Sequence, residues 1–145
     1  RGFDGLEVFL VHPGGPLWAR KDLGAWSIPK GEYQADEEPL VAALREFQEE
    51  VGQPLAGPFL ALKPQRLRSG KQVQAFACRA DVVPTRLVSI TFSLEWPPRS
   101  GRIQQFPEVD RAQWFSLEEA RVRLNPGQIG FLDELMELLA SSPES

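Results

Sequence analysis

The sequence predicts a sandwich that mixes strands and helices, of the α/β or α+β class. One indication is a β-rich run at residues 6–11 (LEVFLV), which the turn sequence HPGGP ends. A second is a helical period that begins near position 39, and a third is an amphipathic helix pattern at residues 131–140 (FLDELMELLA). The residues that carry the helical period are Leu40, Leu44, Phe47 and Val51, which fall within about 60° of arc on one face.

Two helices have recognisable start and stop signals. Pro39 suits the first position of a helix, Glu38 can occupy the cap before it, and Gly52 is typical of a left-handed helix stop. We therefore predict that the first helix begins at Pro39 and ends just before Gly52. Ser116 and Glu119 have the spacing of a capping box, which predicts a second helix after Ser116.

Shorter patterns predict the remaining strands. Residues 25–29 (AWSIP) read as a short extended piece, followed by a polar loop that leads to the first helix. Residues 59–67 and 72–82 flank the turn SGK and predict a hairpin. Residues 86–96 (RLVSITFSLEW) predict another strand, which the sequence PPRSG ends.

Length and composition limit the class of protein. A chain of 145 residues is most simply one domain, 1–145, with 42% hydrophobic and 25% charged residues. Its net charge of −4 gives no basic surface for an extended nucleic acid. One cysteine, Cys78, excludes an internal disulfide framework, and no apolar run approaches the roughly 20 residues of a membrane span. We expect a cytoplasmic globular protein, and the sequence leaves a homo-oligomer open.

Three glutamates crowd the end of the first helix. Glu46 is three and four residues before Glu49 and Glu50, so each pair repels by about 0.2–0.5 kcal/mol. The helix dipole adds to the cost, because its negative end favours cations by roughly 0.3–1 kcal/mol per charge. Either this is a solvated acidic face, which Arg45 partly neutralises, or it holds a cation. Carboxylates without histidine or cysteine partners suit Mg²⁺, Mn²⁺ or Ca²⁺.

Residues 31–53 (GEYQADEEPLVAALREFQEEVGQ) resemble the Nudix box, the signature of Nudix hydrolases. The box reads Gly, five residues, Glu, seven residues, Arg-Glu, an apolar residue, any residue, Glu-Glu, any residue, Gly and an apolar residue. Only the last position departs, because Gln53 is not apolar. The matching residues are Gly31, Glu37, Arg45, Glu46, Phe47, Glu49, Glu50 and Gly52.

The resemblance extends beyond the box and implies a fold. Residues 26–31 (WSIPKG) are similar to the segment before the box in members that act on dinucleoside polyphosphates, and residues 108–120 are similar to the closing strand and helix. The implied fold is an α/β/α sandwich around a mixed β-sheet, with a catalytic loop-helix-loop from Gly31 to Gln53. Family folds normally begin with one more strand than this chain offers, so we expect that an N-terminal strand is missing.

The resemblance also implies roles for individual residues. Glu46, Glu49 and Glu50 would ligate Mg²⁺, for which Mn²⁺ can substitute, with the Gly31 carbonyl as a further ligand. The general base is one of these glutamates or Glu108, which matches an acid that some members supply from outside the box. Supporting roles are implied for Arg45 paired with Glu37, and for Gly52 at the helix end; Lys30 and Trp96 are candidate substrate contacts.

The implied reaction is hydrolysis of a phosphoanhydride bond in a nucleoside diphosphate linked to another group. An NTP or a dinucleoside polyphosphate is the first expectation for the substrate. A nucleotide sugar or an inositol pyrophosphate is the alternative within the family. Outside catalysis, the alternatives are a nucleotide-binding Nudix sensor, which usually loses box glutamates, and an acidic protein-interaction domain, which leaves the spacing of Gly31 and Gly52 unexplained.

Overall fold

The computed structural model describes residues 5–29, 36–66 and 72–140. Within these ranges strands and helices are mixed, as the sequence predicts. The strands are β1 Glu7–Pro13, β2 Leu60–Ala61, β3 Gln65–Arg66, β4 Gln72–Val73, β5 Phe76–Ala77, β6 Thr91–Glu95, β7 Ile103–Pro107 and β8 Val109–Ser116. The α-helices are α1 Pro39–Val51, α2 Leu117–Arg123 and α3 Ile129–Ala140, with short 3-10 turns at Pro84–Arg86 and Pro126–Gln128.

The centre of the fold is the antiparallel ladder between β1 and β8. Val8 pairs with Phe115 and Phe9 with Trp114, and the register shifts only at the end of β1, between His12 and Pro13. The predicted extended piece at residues 25–29 joins β1 on its other side through a Val11–Ser27 bridge. The sheet is mixed in one place, because Trp26 forms a parallel bridge with Leu124.

Side chains of β1 alternate between two cores, one on each face of the sheet. Leu10 is 1% exposed and packs with Trp26, Phe115 and residues of α2 and α3. Val11 is 3% exposed and packs on the opposite face with Val51 from α1. Because successive strand residues face opposite sides, this alternation places helices on both faces. The predicted α/β class with helix layers around a sheet is confirmed.

Helix α1 has the predicted bounds, Pro39–Val51. Glu38 occupies the N-cap position, although its side chain makes no capping hydrogen bond. Gly52 adopts the left-handed conformation with φ of 76°, and a Cβ there would lie 2.6 Å from the Val88 carbonyl oxygen. Gly52 is therefore required both by the backbone angle and by the close approach of Val88.

Gln53, the position that departs from the Nudix box, has a specific structural role. Its side-chain amide donates to the Val83 carbonyl at 2.9 Å and accepts from the Val83 N–H at 2.9 Å. The Val82 carbonyl next to it accepts the indole N–H of Trp114 at 2.8 Å. The side chain that replaces an apolar residue therefore ties the end of α1 to the segment that packs on β8.

The later elements agree with the sequence only in part. The predicted hairpin forms, with β2 paired to β5 and β3 to β4, while its turn lies outside the described residues. The strand predicted at residues 86–96 is shorter and spans Thr91–Glu95. Its partner β7 was not predicted. The Ser116 hydroxyl accepts the Glu119 N–H as expected, but the Glu119 carboxylate pairs with Arg123.

No helix in the described ranges combines the length and the apolar composition that crossing a membrane requires.

Candidate active site

The three glutamates at the end of α1, Glu46, Glu49 and Glu50, differ in their exposure to solvent. Glu50 is almost completely buried, at 8% exposure, which is unusual for a glutamate. The Glu46 side chain is 16% exposed and that of Glu49 is 37% exposed. A solvated acidic face does not describe these side chains, because two of the three are largely removed from water.

Arg45 connects the helix to the loop before it. Its Nε and Nη2 donate to both carboxylate oxygens of Glu37, each at 3.1 Å, which is a bidentate pair. Its Nη1 donates to Glu46 Oε1 at 3.1 Å and lies 3.6 Å from Glu49 Oε1. These contacts raise the pKa of Arg45, first through the hydrogen bonds to Glu37. The predicted pairing of Arg45 with Glu37 is present in the structure.

The environment of Glu46 disfavours its negative charge. Burial is the largest cause that raises the pKa of Glu46, and the charges of Glu49 and Glu108 raise it further, while Arg45 lowers it. Two like charges therefore act on one partly buried carboxyl. A carboxyl in such surroundings is stabilised when a cation binds.

Glu108 belongs to this group although it is far from α1 in the sequence. The Ile90 N–H donates to the Glu49 carbonyl at 2.9 Å, and the Ile90 carbonyl accepts the Glu108 N–H at 2.9 Å. One residue thus connects the backbone of the helix to that of Glu108. On the other side, the Gly14 N–H donates to the Glu108 carbonyl at 2.9 Å. The structure therefore brings Glu108 to the acidic residues of α1.

The donor set has the chemistry of a site for a hard divalent cation, but its members are not drawn together. Among the described residues, no three histidine, cysteine, aspartate or glutamate side chains form a group that could hold a metal ion. Instead, Nη1 of Arg45 lies between the carboxylates of Glu46 and Glu49 and supplies the positive charge that a cation would supply. All donors are oxygens, which Mg²⁺ and Mn²⁺ prefer. Lys30 and Gly31, the predicted phosphate contact and carbonyl ligand, lie outside the described residues.

Two other residues noted from the sequence are Trp96 and Cys78. Trp96 lies at the end of the β6–β7 hairpin, where its N–H donates to the Arg102 carbonyl and its carbonyl accepts from Gln104. Its contact with substrate stays a prediction. Cys78 is partly buried, and burial raises the pKa of its thiol, which fits an unreactive side chain.

His12 is completely buried and holds the segment that follows β1. Its Nδ1 lies 2.9 Å from Asp110 Oδ1, and its Nε2 lies 2.6 Å from the Lys21 carbonyl oxygen. The ring also packs edge-to-face on Trp26, with 5.2 Å between the ring centroids. The loop from β1 to Trp26 is thereby fixed at both ends. This contact was not predictable from spacing, because His12 and Asp110 are 98 residues apart.

An apolar pocket of about 270 Å³ opens beside Glu108. Leu17 and Trp18, from the segment after β1, form one wall, and Phe92 and Leu94, from β6, form another. Leu17 and Phe92 were not identified, because the segment after β1 has no periodic pattern that places it against β6.

Comparison with known proteins supports the resemblance to Nudix hydrolases, and it does so over nearly the whole chain. The family model described as NUDIX domain matches residues 3–135. An RNA pyrophosphohydrolase of Xylella fastidiosa is 29% identical over 115 residues, and the match spans 75% of this chain but only 60% of that protein.

Two solved structures have a similar fold. The solution structure of the E. coli ORF135 protein is 25% identical, with 96% of this chain and 86% of that chain covered and a TM-score of 0.56. The crystal structure of a C. elegans Ap4A hydrolase binary complex is 19% identical, with 94% and 89% covered and a TM-score of 0.59. At that identity the second likeness concerns the fold alone.

Proposed function

The chain belongs to the NUDIX domain family, and we propose from this premise that it hydrolyses a phosphoanhydride bond in a nucleoside diphosphate linked to another group. The substrate is an NTP or a dinucleoside polyphosphate. The observation that carries the proposal is the position of Glu108 beside α1, because its backbone is linked through Ile90 to the Glu49 carbonyl and its charge raises the pKa of Glu46. Crowded carboxylates at a partly buried position are costly unless they serve a function.

The acidic residues of α1 hold a divalent cation, which family members generally use, and Mg²⁺ is the ion we propose. Glu46, Glu49 and Glu50 are its protein ligands. A cation held by these residues would neutralise phosphate oxygens and so permit a nucleophile to approach phosphorus. Arg45 would still hold Glu37 with a cation bound, since its bidentate pair with Glu37 uses Nε and Nη2 whereas Glu46 is bound by Nη1.

Glu108 acts as the general base in this proposal. Water attacks phosphorus, its proton passes to the Glu108 carboxylate, and the bond between phosphorus and the bridging oxygen breaks. The leaving phosphate or nucleotide takes the electron pair of that bond. Glu108 suits the role because the glutamates of α1 are occupied as ligands, whereas Glu108 lies next to them at the edge of a pocket.

We expect divalent metal to stabilise the fold. The repulsion among Glu46, Glu49 and Glu108 is relieved when a cation binds, and any ligand that binds only the folded state raises the free energy of unfolding. Thermal melts in EDTA and in millimolar Mg²⁺ should differ, with the higher midpoint in Mg²⁺. Ca²⁺ serves as a second ion, and NaCl of equal ionic strength controls for screening. Coinciding melts, together with no heat of metal binding, would contradict the metal site.

Glu108→Gln should lower kcat more than it changes KM, because the interaction with the proton is made mainly in the transition state. A loss of about 100-fold is expected. The measurement is steady-state hydrolysis at saturating Mg²⁺. A kcat within about twofold of wild type, well under 1 kcal/mol of barrier, would leave the base among the glutamates of α1.

The experiment that tests the proposed function is a substrate panel with Mg²⁺, following released phosphate and pyrophosphate and identifying the products. The panel contains the common NTPs, dinucleoside polyphosphates, nucleotide sugars and an inositol pyrophosphate. A 5′-triphosphorylated RNA belongs in it because a relative carries the name RNA pyrophosphohydrolase. Hydrolysis of none of them, by protein that binds Mg²⁺ and is folded, would favour the non-catalytic nucleotide sensor.

A further inference from the structure

Glu108 lies at a bend where the chain passes from one sheet to another. It is the single residue between β7, which pairs with β6, and β8, which pairs with β1. The register of neither ladder includes Glu108, so regular strand pairing does not fix its backbone. A general base must lie within hydrogen-bond reach of the proton that it takes. The contacts that hold this bend therefore bear on the proposed reaction.

The Ser89 hydroxyl spans the bend. It accepts the Val109 N–H at 3.1 Å and donates to the Ile90 carbonyl at 2.9 Å. That carbonyl also accepts the Glu108 N–H at 2.9 Å, and a carbonyl oxygen has two lone pairs for two such donors. The hydroxyl is therefore bonded to the peptide N–H that follows Glu108 and to the acceptor of the Glu108 N–H itself.

The segment that carries Ser89 is anchored to the end of α1. The Val88 N–H donates to the Val51 carbonyl at 3.0 Å, and the Ile90 N–H donates to the Glu49 carbonyl at 2.9 Å. Carbonyls of the last helical turn have no partner within the helix, so these two bonds complete the end of α1. Ser89 lies between the two donors. Its hydroxyl is thus fixed relative to the helix whose glutamates are the proposed metal ligands.

We propose that Ser89 is a positioning residue, which holds Glu108 in place against the metal ligands of α1. This inference rests on the proposed function, in which Glu108 is the general base. Ser89 acts through Glu108 and does not contact the substrate. The Ile90 backbone joins α1 to Glu108 by one hydrogen bond to each. The hydroxyl adds a second connection, on the side of Glu108 that leads into β8, and so restricts both peptide groups of the base.

Ser89→Ala should lower kcat by about 10-fold or more, with KM changed by less than about threefold. A misplaced base weakens the transition state and leaves substrate binding intact. Ser89→Thr keeps the hydroxyl and should retain kcat within about threefold of wild type. In a Glu108→Gln background, Ser89→Ala should cost less than about a further twofold, since no base remains to be positioned. Both constants are measured at saturating Mg²⁺, on the substrate that the wild type hydrolyses fastest.

Ser93→Ala is the matched control, because Ser93 accepts the Gln105 side-chain amide at 2.6 Å on the exposed side of β6. Its kcat should stay within about twofold of wild type. A wild-type kcat for Ser89→Ala would overturn the inference. So would an equal loss in the Glu108→Gln background, or a loss that Ser89→Thr shares. Near-normal kcat of Glu108→Gln alone would overturn it too, while the proposed hydrolase function would stand.

If the wild type hydrolyses nothing, the proposed function fails separately, and amide hydrogen exchange decides the inference. Ser89→Ala should then raise the exchange rates of the Glu108 and Val109 amides by about 10-fold or more. Ser93→Ala should leave both rates unchanged. Rates at the two amides that equal those of wild type in Ser89→Ala would overturn the inference.

Discussion

Glu46→Gln and Glu50→Gln should each lower kcat/KM by more than about 100-fold at saturating Mg²⁺. Even residues that only support metal ligands typically cost 10–100-fold when they are changed, so loss of a ligand charge should cost more. Each substitution keeps the shape of the side chain and removes one negative charge. Steady-state hydrolysis of the best substrate in the panel is the measurement, with calorimetry of Mg²⁺ binding as an independent readout.

The stability of Glu46→Gln separates a lost ligand from a damaged fold. The pKa of Glu46 is raised by burial and by its acidic neighbours, so the folded protein binds this proton more tightly than the unfolded chain does. The wild type therefore loses stability as pH rises from the unfolded pKa, near 4.3, through the raised folded pKa. Glutamine does not titrate. In EDTA the variant should be at least as stable as wild type at pH 7, and this advantage should disappear towards pH 4.

A matched control on the same helix is Glu38→Gln. Glu38 is an exposed glutamate at the opposite end of α1, and its side chain makes no capping hydrogen bond. The Glu38→Gln substitution removes one negative charge at the start of the same helix and leaves the acidic residues at its end unchanged. Its activity should therefore stay within about twofold of wild type. Near-normal activity of Glu46→Gln or Glu50→Gln would move the metal site elsewhere. Equal losses in all three variants would point to net charge instead of ligation.

The first helix was predictable to the residue because its ends are marked by steric requirements. Proline is tolerated only in the first turn, and Gly52 must adopt a positive φ against Val88. Strand β7 was missed for the opposite reason. Its residues, Ile103–Pro107, are mostly exposed, so they carry no alternation between buried and solvent positions. Its stability comes from pairing with β6, which a local pattern does not record.

In the site, too, the residues marked by a local pattern were predictable and those that meet only in the folded protein were not. The carboxylates of α1 were identifiable because they violate local electrostatic rules within five residues of each other. Glu108 was identifiable through the family resemblance, and the pocket was not identifiable at all. Leu17 and Phe92 are 75 positions apart in the sequence and line the same pocket, where Gly14 lets the chain approach Pro107 and Gly15 lets it approach Phe92. Contacts that depend on tertiary approach leave no periodic signal.

His12→Ala should lower the free energy of unfolding by about 3 kcal/mol, which corresponds to roughly 6–12 °C in Tm for a chain of this size. His12 is 0% exposed, and both of its ring nitrogens face acceptors. The Lys21 carbonyl only accepts, so Nε2 of His12 carries a proton and donates to it. The substitution leaves a cavity beside Trp26 and removes one partner of the Asp110 carboxylate, which is 28% exposed and also lies 3.5 Å from Arg111 Nε. The measurement is urea denaturation. We expect a lower urea concentration at the midpoint of unfolding and an unchanged dependence of the unfolding free energy on urea.

Two further variants identify which interaction is responsible. Asp110→Asn keeps an acceptor for Nδ1 but removes the charge, so it should cost less than His12→Ala, and the double variant should cost less than the sum of the two. Lys21→Ala is the control, because His12 contacts only the backbone carbonyl of Lys21, and it should change stability by under about 0.5 kcal/mol. Additive losses at His12 and Asp110 would show that the two side chains do not stabilise each other. A cost below about 1 kcal/mol for His12→Ala would show that the contacts of His12 with Asp110 and Lys21 contribute little to holding the segment after β1.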